Sequence, residues 1–121
     1  MKKIIIAFTI IASLLVACKS KKEVAATTPA MPLDCTTKTL SYSVDIKPIM
    51  EGNCTRCHNT NEKAGYNFLN IESVKKAALN GQLLGTIKHL DGFSKMPAYS
   101  HKLDQITIDK IECWINNGMK E

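Results

Sequence analysis

The segment Cys54-Thr55-Arg56-Cys57-His58 carries the most chemical information in this chain of 121 residues. Two thiols are separated by two residues, and an imidazole follows the second thiol at once. This spacing is typical of covalent haem attachment, in which each thiol forms a thioether bond to one vinyl group of the porphyrin. The next residue then lies beneath the iron, where an imidazole nitrogen binds the metal. The segment therefore predicts one haem c attached to Cys54 and Cys57, with His58 as the proximal iron ligand.

The N-terminus predicts export. Two lysines precede an apolar run over residues 4–17, which is too short to span a bilayer and has the length of the hydrophobic region of a secretory signal. The run ends at Leu15-Val16-Ala17-Cys18, which resembles the lipobox of bacterial lipoproteins. We expect a lipid on Cys18, and the alternatives are an ordinary signal peptide or an uncleaved anchor. Each of these predicts a location in the bacterial cell envelope, facing the periplasm or the cell surface, where c-type haem is attached.

The five cysteines divide by role. Once lipid is assigned to Cys18 and haem to Cys54 and Cys57, only Cys35 and Cys113 remain. Two remaining thiols in an oxidising compartment are expected to pair. This disulfide would join the two ends of the folded region. The alternative is two unpaired thiols, one buried and one exposed.

Composition divides the chain into three parts. Residues 1–17 form the signal peptide, residues 18–34 form a flexible tether with no periodic apolar pattern, and residues 35–121 form one small domain. A domain of this size has a thin core, which a haem would fill with a large apolar disc. The formal net charge of the whole chain is +5, but no nucleic-acid-binding motif accompanies it. We therefore expect no nucleic-acid partner.

The apolar pattern predicts an all-α domain of four helices. Residue types that begin helices precede three of them. The first helix, through Met50, can be capped by Ser43 or Asp45, and Asp45 is favoured because it places Pro48 in the first turn. The other predicted pairs of cap and helix are Asn70 with residues 71–79 and Thr107 with residues 108–117. A further short helix is expected over residues 82–90.

Three further segments carry a resemblance to a known family. They are Tyr42–Ile49 before the haem motif, Met96-Pro97 after it, and Ile111–Gly118 with Trp114 near the end. Together with the haem motif they resemble the small class I cytochrome c domains of the compact bacterial kind found in Planctomycetes and Bacteroidetes. The resemblance implies a helical fold around a covalently bound haem, with Met96 as the distal iron ligand and the last helix packed across the first. The family usually has a small residue where this chain has Cys113.

Met96 has two rivals as the distal ligand. A methionine thioether is a soft, neutral ligand that favours ferrous iron and raises the reduction potential. Pro97 restricts the backbone of Met96 to an extended form, which helps to fix its side chain. His89 and His101 compete with it because ligation by two histidines is also common chemistry. The residues alone leave these three candidates open.

The predicted function is electron transfer and not enzymatic catalysis. Iron that is bound by both His58 and Met96 has no open position, so it exchanges single electrons with redox partner proteins. Lipid on Cys18 would anchor the carrier to the membrane. One alternative is a haem-based sensor or haem enzyme in which the distal ligand is displaceable. Another is a zinc-binding or thiol-redox module built on Cys54 and Cys57.

Overall fold

The computed structural model describes residues 33–121. This part of the chain contains four α-helices and no strand, which confirms the predicted all-α class. The helices are α1 (Lys47–Asn53), α2 (Ile71–Leu79), α3 (Gln82–Lys88) and α4 (Gln105–Asn116). A π-helical turn, Tyr42–Ile46, runs directly into α1, and a 3-10 turn, Lys63–Gly65, lies between α1 and α2. The described residues do not include the signal peptide, Cys18 or most of the tether. Within residues 33–121 no helix is long and apolar enough to cross a membrane.

The first helical segment begins at a different residue from the one predicted. Ser41 is its N-cap, and the Ser41 hydroxyl accepts a hydrogen bond from the backbone N–H of Val44. Asp45, which the sequence predicted as the cap, lies inside the π-helical turn. Its carboxylate accepts the backbone N–H of Ser41 at 2.9 Å. The prediction of Asp45 as the cap is therefore wrong, because this carboxylate reaches back to the cap instead of being the cap.

The start of α2 was predicted correctly, and the start of α4 was not. The side chain of Asn70 accepts the backbone N–H of Glu72 at 2.9 Å, and α2 covers residues 71–79 as expected. In α4 the cap is Asp104, whose carboxylate accepts both the hydroxyl (2.7 Å) and the backbone N–H (2.9 Å) of Thr107. The prediction of Thr107 as the cap is wrong because Thr107 is the donor to an earlier acceptor, so the helix begins at Gln105.

The helices pack in a chain of neighbours. α2 packs on α3, α3 packs on α4, and α4 packs on the π-helical turn at the start of the domain. Trp114 of α4 is fully buried, and its ring lies 5.9 Å from the ring of Tyr42. The backbone carbonyl of Lys120 accepts two hydrogen bonds of 2.8 Å, from the Trp114 indole N–H and from the Tyr42 backbone N–H. One backbone carbonyl therefore accepts hydrogen bonds from both ends of the domain.

Cys35 and Cys113 lie at disulfide distance. Their sulfur atoms are within bonding distance and their Cα atoms are 5.1 Å apart, as the cysteine count predicted. The side-chain amide of Asn117 also donates to the Cys35 carbonyl at 2.9 Å. The segment before the first helix is thus held against α4 by this cysteine pair and by a hydrogen bond.

Candidate functional site

Cys54, Cys57 and His58 lie in one tight turn at the end of α1. The backbone N–H of Cys54 donates to the Met50 carbonyl at 2.8 Å, which continues the helix by one bond. The Cys54 carbonyl then accepts the backbone N–H of Cys57 at 3.1 Å and that of His58 at 2.9 Å. These bonds bring two thiols and an imidazole together next to a helix end, and they need only the local backbone to do so.

The two thiols of this turn differ in exposure. Both are free, with Cys54 half-buried and Cys57 exposed. Burial raises the pKa of the Cys54 thiol to about 11, so it is protonated at neutral pH. A thiol that exchanges disulfides needs a lowered pKa, because the thiolate is the nucleophile. The raised pKa of Cys54 therefore argues against the thiol-redox interpretation.

The imidazole of His58 is held in a defined orientation. His58 is the one polar residue among residues 33–121 that is buried, with 8% of its surface exposed. Its Nδ1 atom lies 2.9 Å from the backbone carbonyl oxygen of Lys63, and its ring centroid lies 4.9 Å from that of Phe68. A carbonyl oxygen only accepts, so we assign the proton to Nδ1. This tautomer leaves the Nε2 lone pair available to bind a metal.

The contacts around His58 were only partly visible in the sequence. Phe68 packs on the ring, and its backbone N–H donates to the His58 carbonyl at 2.8 Å. An aromatic residue shortly after a haem motif is a signal that could have been used. The Lys63 carbonyl leaves no such signal, because every residue type offers the same backbone acceptor.

Met96 lies in a loop that is fastened to α3. The backbone N–H of Met96 donates to the Thr86 carbonyl at 3.1 Å. The carbonyl of Met96 lies 2.9 Å from the Nε2 atom of His89. Phe93, in the same loop, lies so close to Gly85 that a Cβ atom on this glycine would clash with the ring. The half-buried Met96 is therefore held by both of its backbone polar groups and by the packing of its loop.

The remaining candidate ligands are placed as follows. His89 directly follows α3 and uses Nε2 on the Met96 carbonyl, whereas His101 is exposed. Within residues 33–121 no hydrogen bond joins the Met96 loop to the turn of Cys54, Cys57 and His58. Met96 as the distal ligand therefore stays a prediction. The same part of the chain contains no group of three or more His, Cys, Asp or Glu side chains arranged to hold a metal ion, so a zinc site gains no support there.

Comparison with known proteins finds no matching family model, no matching curated protein and no matching solved structure. The resemblance to class I cytochrome c domains therefore stays a prediction from the residues.

Proposed function

We propose that this protein is a membrane-anchored c-type cytochrome that transfers single electrons between redox partner proteins on the exported side of a bacterial membrane. The observation that carries the proposal is the hydrogen bond from His58 Nδ1 to the Lys63 carbonyl. Histidines that bind metals almost always donate their other ring N–H to a carbonyl or a carboxylate. Such a partner fixes the ring, selects the tautomer and makes the binding nitrogen more basic.

The residues of the turn fit a covalently attached haem. Cys54 and Cys57 would hold the porphyrin through thioethers, and His58 would bind the iron through Nε2. Both thiols are free, and they share one turn with the imidazole. The haem, when bound, supplies iron that exchanges one electron between its ferric and ferrous states. The protein holds the group, orients the imidazole through Lys63, and covers one side of that imidazole with Phe68.

Met96 is favoured over the two histidines as the distal ligand. His89 differs from His58 because it uses Nε2, the outer ring nitrogen, on the Met96 carbonyl, which leaves only Nδ1, the nitrogen next to Cβ, for a metal. His101 is exposed, and no hydrogen bond within residues 33–121 fixes its ring. Met96 is half-buried and its backbone is fastened at both the N–H and the carbonyl. A fastened ligand favours a carrier, since a sensor or a haem enzyme needs a distal group that leaves the iron.

A redox-titrated visible spectrum of protein made with a cytochrome c maturation system tests the proposal. We expect the colour to stay with the protein in acid acetone, because thioethers do not dissociate. We also expect a low-spin ferric spectrum with a sulfur-to-iron charge-transfer band. Haem that extracts freely, or a mass spectrum with no added porphyrin, would overturn the proposal.

Substitutions at the distal position separate the possible ligands. Met96→Ala should give high-spin ferric iron that binds cyanide. Met96→His should stay low-spin with a lower reduction potential, because imidazole lacks the preference of a thioether for ferrous iron. His101→Ala is the matched control and should leave the spectrum unchanged. A high-spin His101→Ala variant would instead show ligation by two histidines, and a wild type that binds carbon monoxide readily would favour the sensor or enzyme.

The membrane anchor is tested separately, because Cys18 lies outside the described residues. Cys18→Ser should release the protein into the soluble fraction or block its processing, since the lipid is attached to this thiol. Fractionation of cells that express the two forms makes the comparison. Unchanged membrane association together with unchanged processing would contradict the lipid anchor and leave the haem assignment intact.

A further inference from the structure

We infer that His89 is a positioning residue, which fixes the backbone of Met96 and so keeps the Met96 sulfur bound to iron; this inference rests on the proposed function. The geometry that points to it is the hydrogen bond from His89 Nε2–H to the Met96 carbonyl. His89 needs no contact with the iron for this role. It acts on the metal only through the residue that it holds.

The backbone of His89 directs its ring toward the loop. His89 is the C-cap of α3 and has a φ of 59°, which is in the left-handed region. This conformation ends the helix and turns the chain back, and histidine is one of the few non-glycine residue types enriched in it. The ring then meets a carbonyl seven residues further along the chain. A left-handed residue at this position is therefore part of the contact.

The Met96 peptide is bracketed between two groups of the same helix end. The Thr86 carbonyl accepts the backbone N–H of Met96 at 3.1 Å and also that of His89 at 3.3 Å. The Nε2–H group of His89 in turn donates to the Met96 carbonyl at 2.9 Å. The methionine therefore has a hydrogen bond on each side of its Cα atom. Both bonds come from residues 86–89, so the orientation of Met96 follows that of α3.

This bracket has a physical effect on the metal site. A methionine side chain has three rotatable bonds and fills space loosely. When its backbone is already fixed, less conformational entropy remains to be lost on binding iron. Removing a partner that holds a metal ligand typically weakens metal binding by about 10–100-fold. Loss of the His89 donor should therefore make Met96 easier to displace by about the same factor.

The experiment compares two substitutions of His89 in the haem-loaded protein. Asparagine tolerates the left-handed backbone, but its amide is too short to reach the Met96 carbonyl. Glutamine places its amide nitrogen at about the reach of Nε2 and keeps the donor. We expect His89→Asn to bind cyanide to ferric iron about 10–100-fold faster than wild type and to have a lower reduction potential. His89→Gln should restore most of the wild-type rate.

A control variant separates positioning from general stability. Asn70→Ala removes the cap of α2, which lies outside the Met96 loop, and should lower the unfolding temperature without changing the rate of cyanide binding. The inference is overturned if His89→Asn binds cyanide at the wild-type rate. It is also overturned if His89→Gln is as fast as His89→Asn, or if Asn70→Ala accelerates binding equally.

A second readout distinguishes failure of this inference from failure of the proposed function. Hydrogen exchange of the Met96 backbone amide in the reduced protein reports the bracket whatever ligand the iron has. It should be faster in His89→Asn than in wild type, because the loop is then released from one of its two anchors. Suppose that exchange is faster in His89→Asn but that Met96→Ala has the same spectrum as wild type. The bracket then exists, and Met96 is not the ligand. Unchanged exchange would show that His89 does not hold Met96.

Discussion

Removal of the link between Cys35 and Cys113 should cost this domain much of its stability. The two residues are 78 positions apart, and closing a loop of that length lowers the entropy of the unfolded chain by an amount worth about 4.5 kcal/mol at 25 °C. Cys35→Ala is the cleaner of the two single substitutions, because Cys35 is half-buried whereas Cys113 is only 1% exposed. Truncating Cys113 would add the cost of a core cavity to the loss of the bridge.

Guanidinium chloride unfolding of the haem-loaded protein measures the effect. With a denaturant slope of about 2 kcal/mol/M, the loss of about 4.5 kcal/mol corresponds to a midpoint that falls by about 2 M. The double variant Cys35→Ala/Cys113→Ala is the control, and its further loss should equal only the packing cost at Cys113. Peptide mapping without reduction checks that the wild type contains the bridge. A midpoint shift below about 0.5 M at an unchanged slope would refute the reasoning.

Two other substitutions follow from the structure. Asp104→Ala removes the cap of α4 and should lower the free energy of unfolding by about 1 kcal/mol at pH 7. The hydrogen bonds from Thr107 lower the pKa of Asp104 from its ordinary 3.8, so the ionised carboxylate stabilises the fold above that pH. The difference in unfolding free energy between wild type and Asp104→Ala should therefore shrink as the pH falls through the lowered pKa. An equal difference at pH 7 and at the acid end of the titration would contradict this. Gly85→Ala should destabilise by about 1–3 kcal/mol because its Cβ would meet the Phe93 ring. Gly52→Ala, at a helical glycine with no atom within 4 Å of the added carbon, should be neutral or stabilising by up to about 1 kcal/mol. Thermal unfolding compares the two glycines, and equal effects would contradict the close contact.

The elements that depend on local sequence were the most predictable. The bounds of α2 follow from an asparagine cap directly before the helix and from the apolar residues within it, and both signals are local. The caps of the other two helices were misplaced for a shared reason. Asp45 lies four residues after Ser41 and Thr107 lies three residues after Asp104. Each pair shares cap hydrogen bonds, and the sequence does not say which residue of the pair lies outside the helix.

The site divides in the same way. Cys54, Cys57 and His58 are adjacent in sequence, so one turn brings them together and their spacing was sufficient to predict it. The hydrogen-bond partners of the His58 ring and of the Met96 backbone were not predictable, because they depend on backbone carbonyls and on a left-handed residue. A carbonyl at Lys63 is the same for every side chain, and the φ of His89 is not written in its residue type.

The Lys120 carbonyl has a consequence for the order in which the molecule assembles. It satisfies donors from Tyr42 and from Trp114, which lie at opposite ends of the domain. A ribosome releases Tyr42 and the turn of Cys54, Cys57 and His58 long before it has made Lys120. During that interval the newly made segment lacks its closing acceptor, and both thiols belong to an open chain. The contact that joins the two ends of the domain is therefore among the last of the described contacts to become possible as the chain is made.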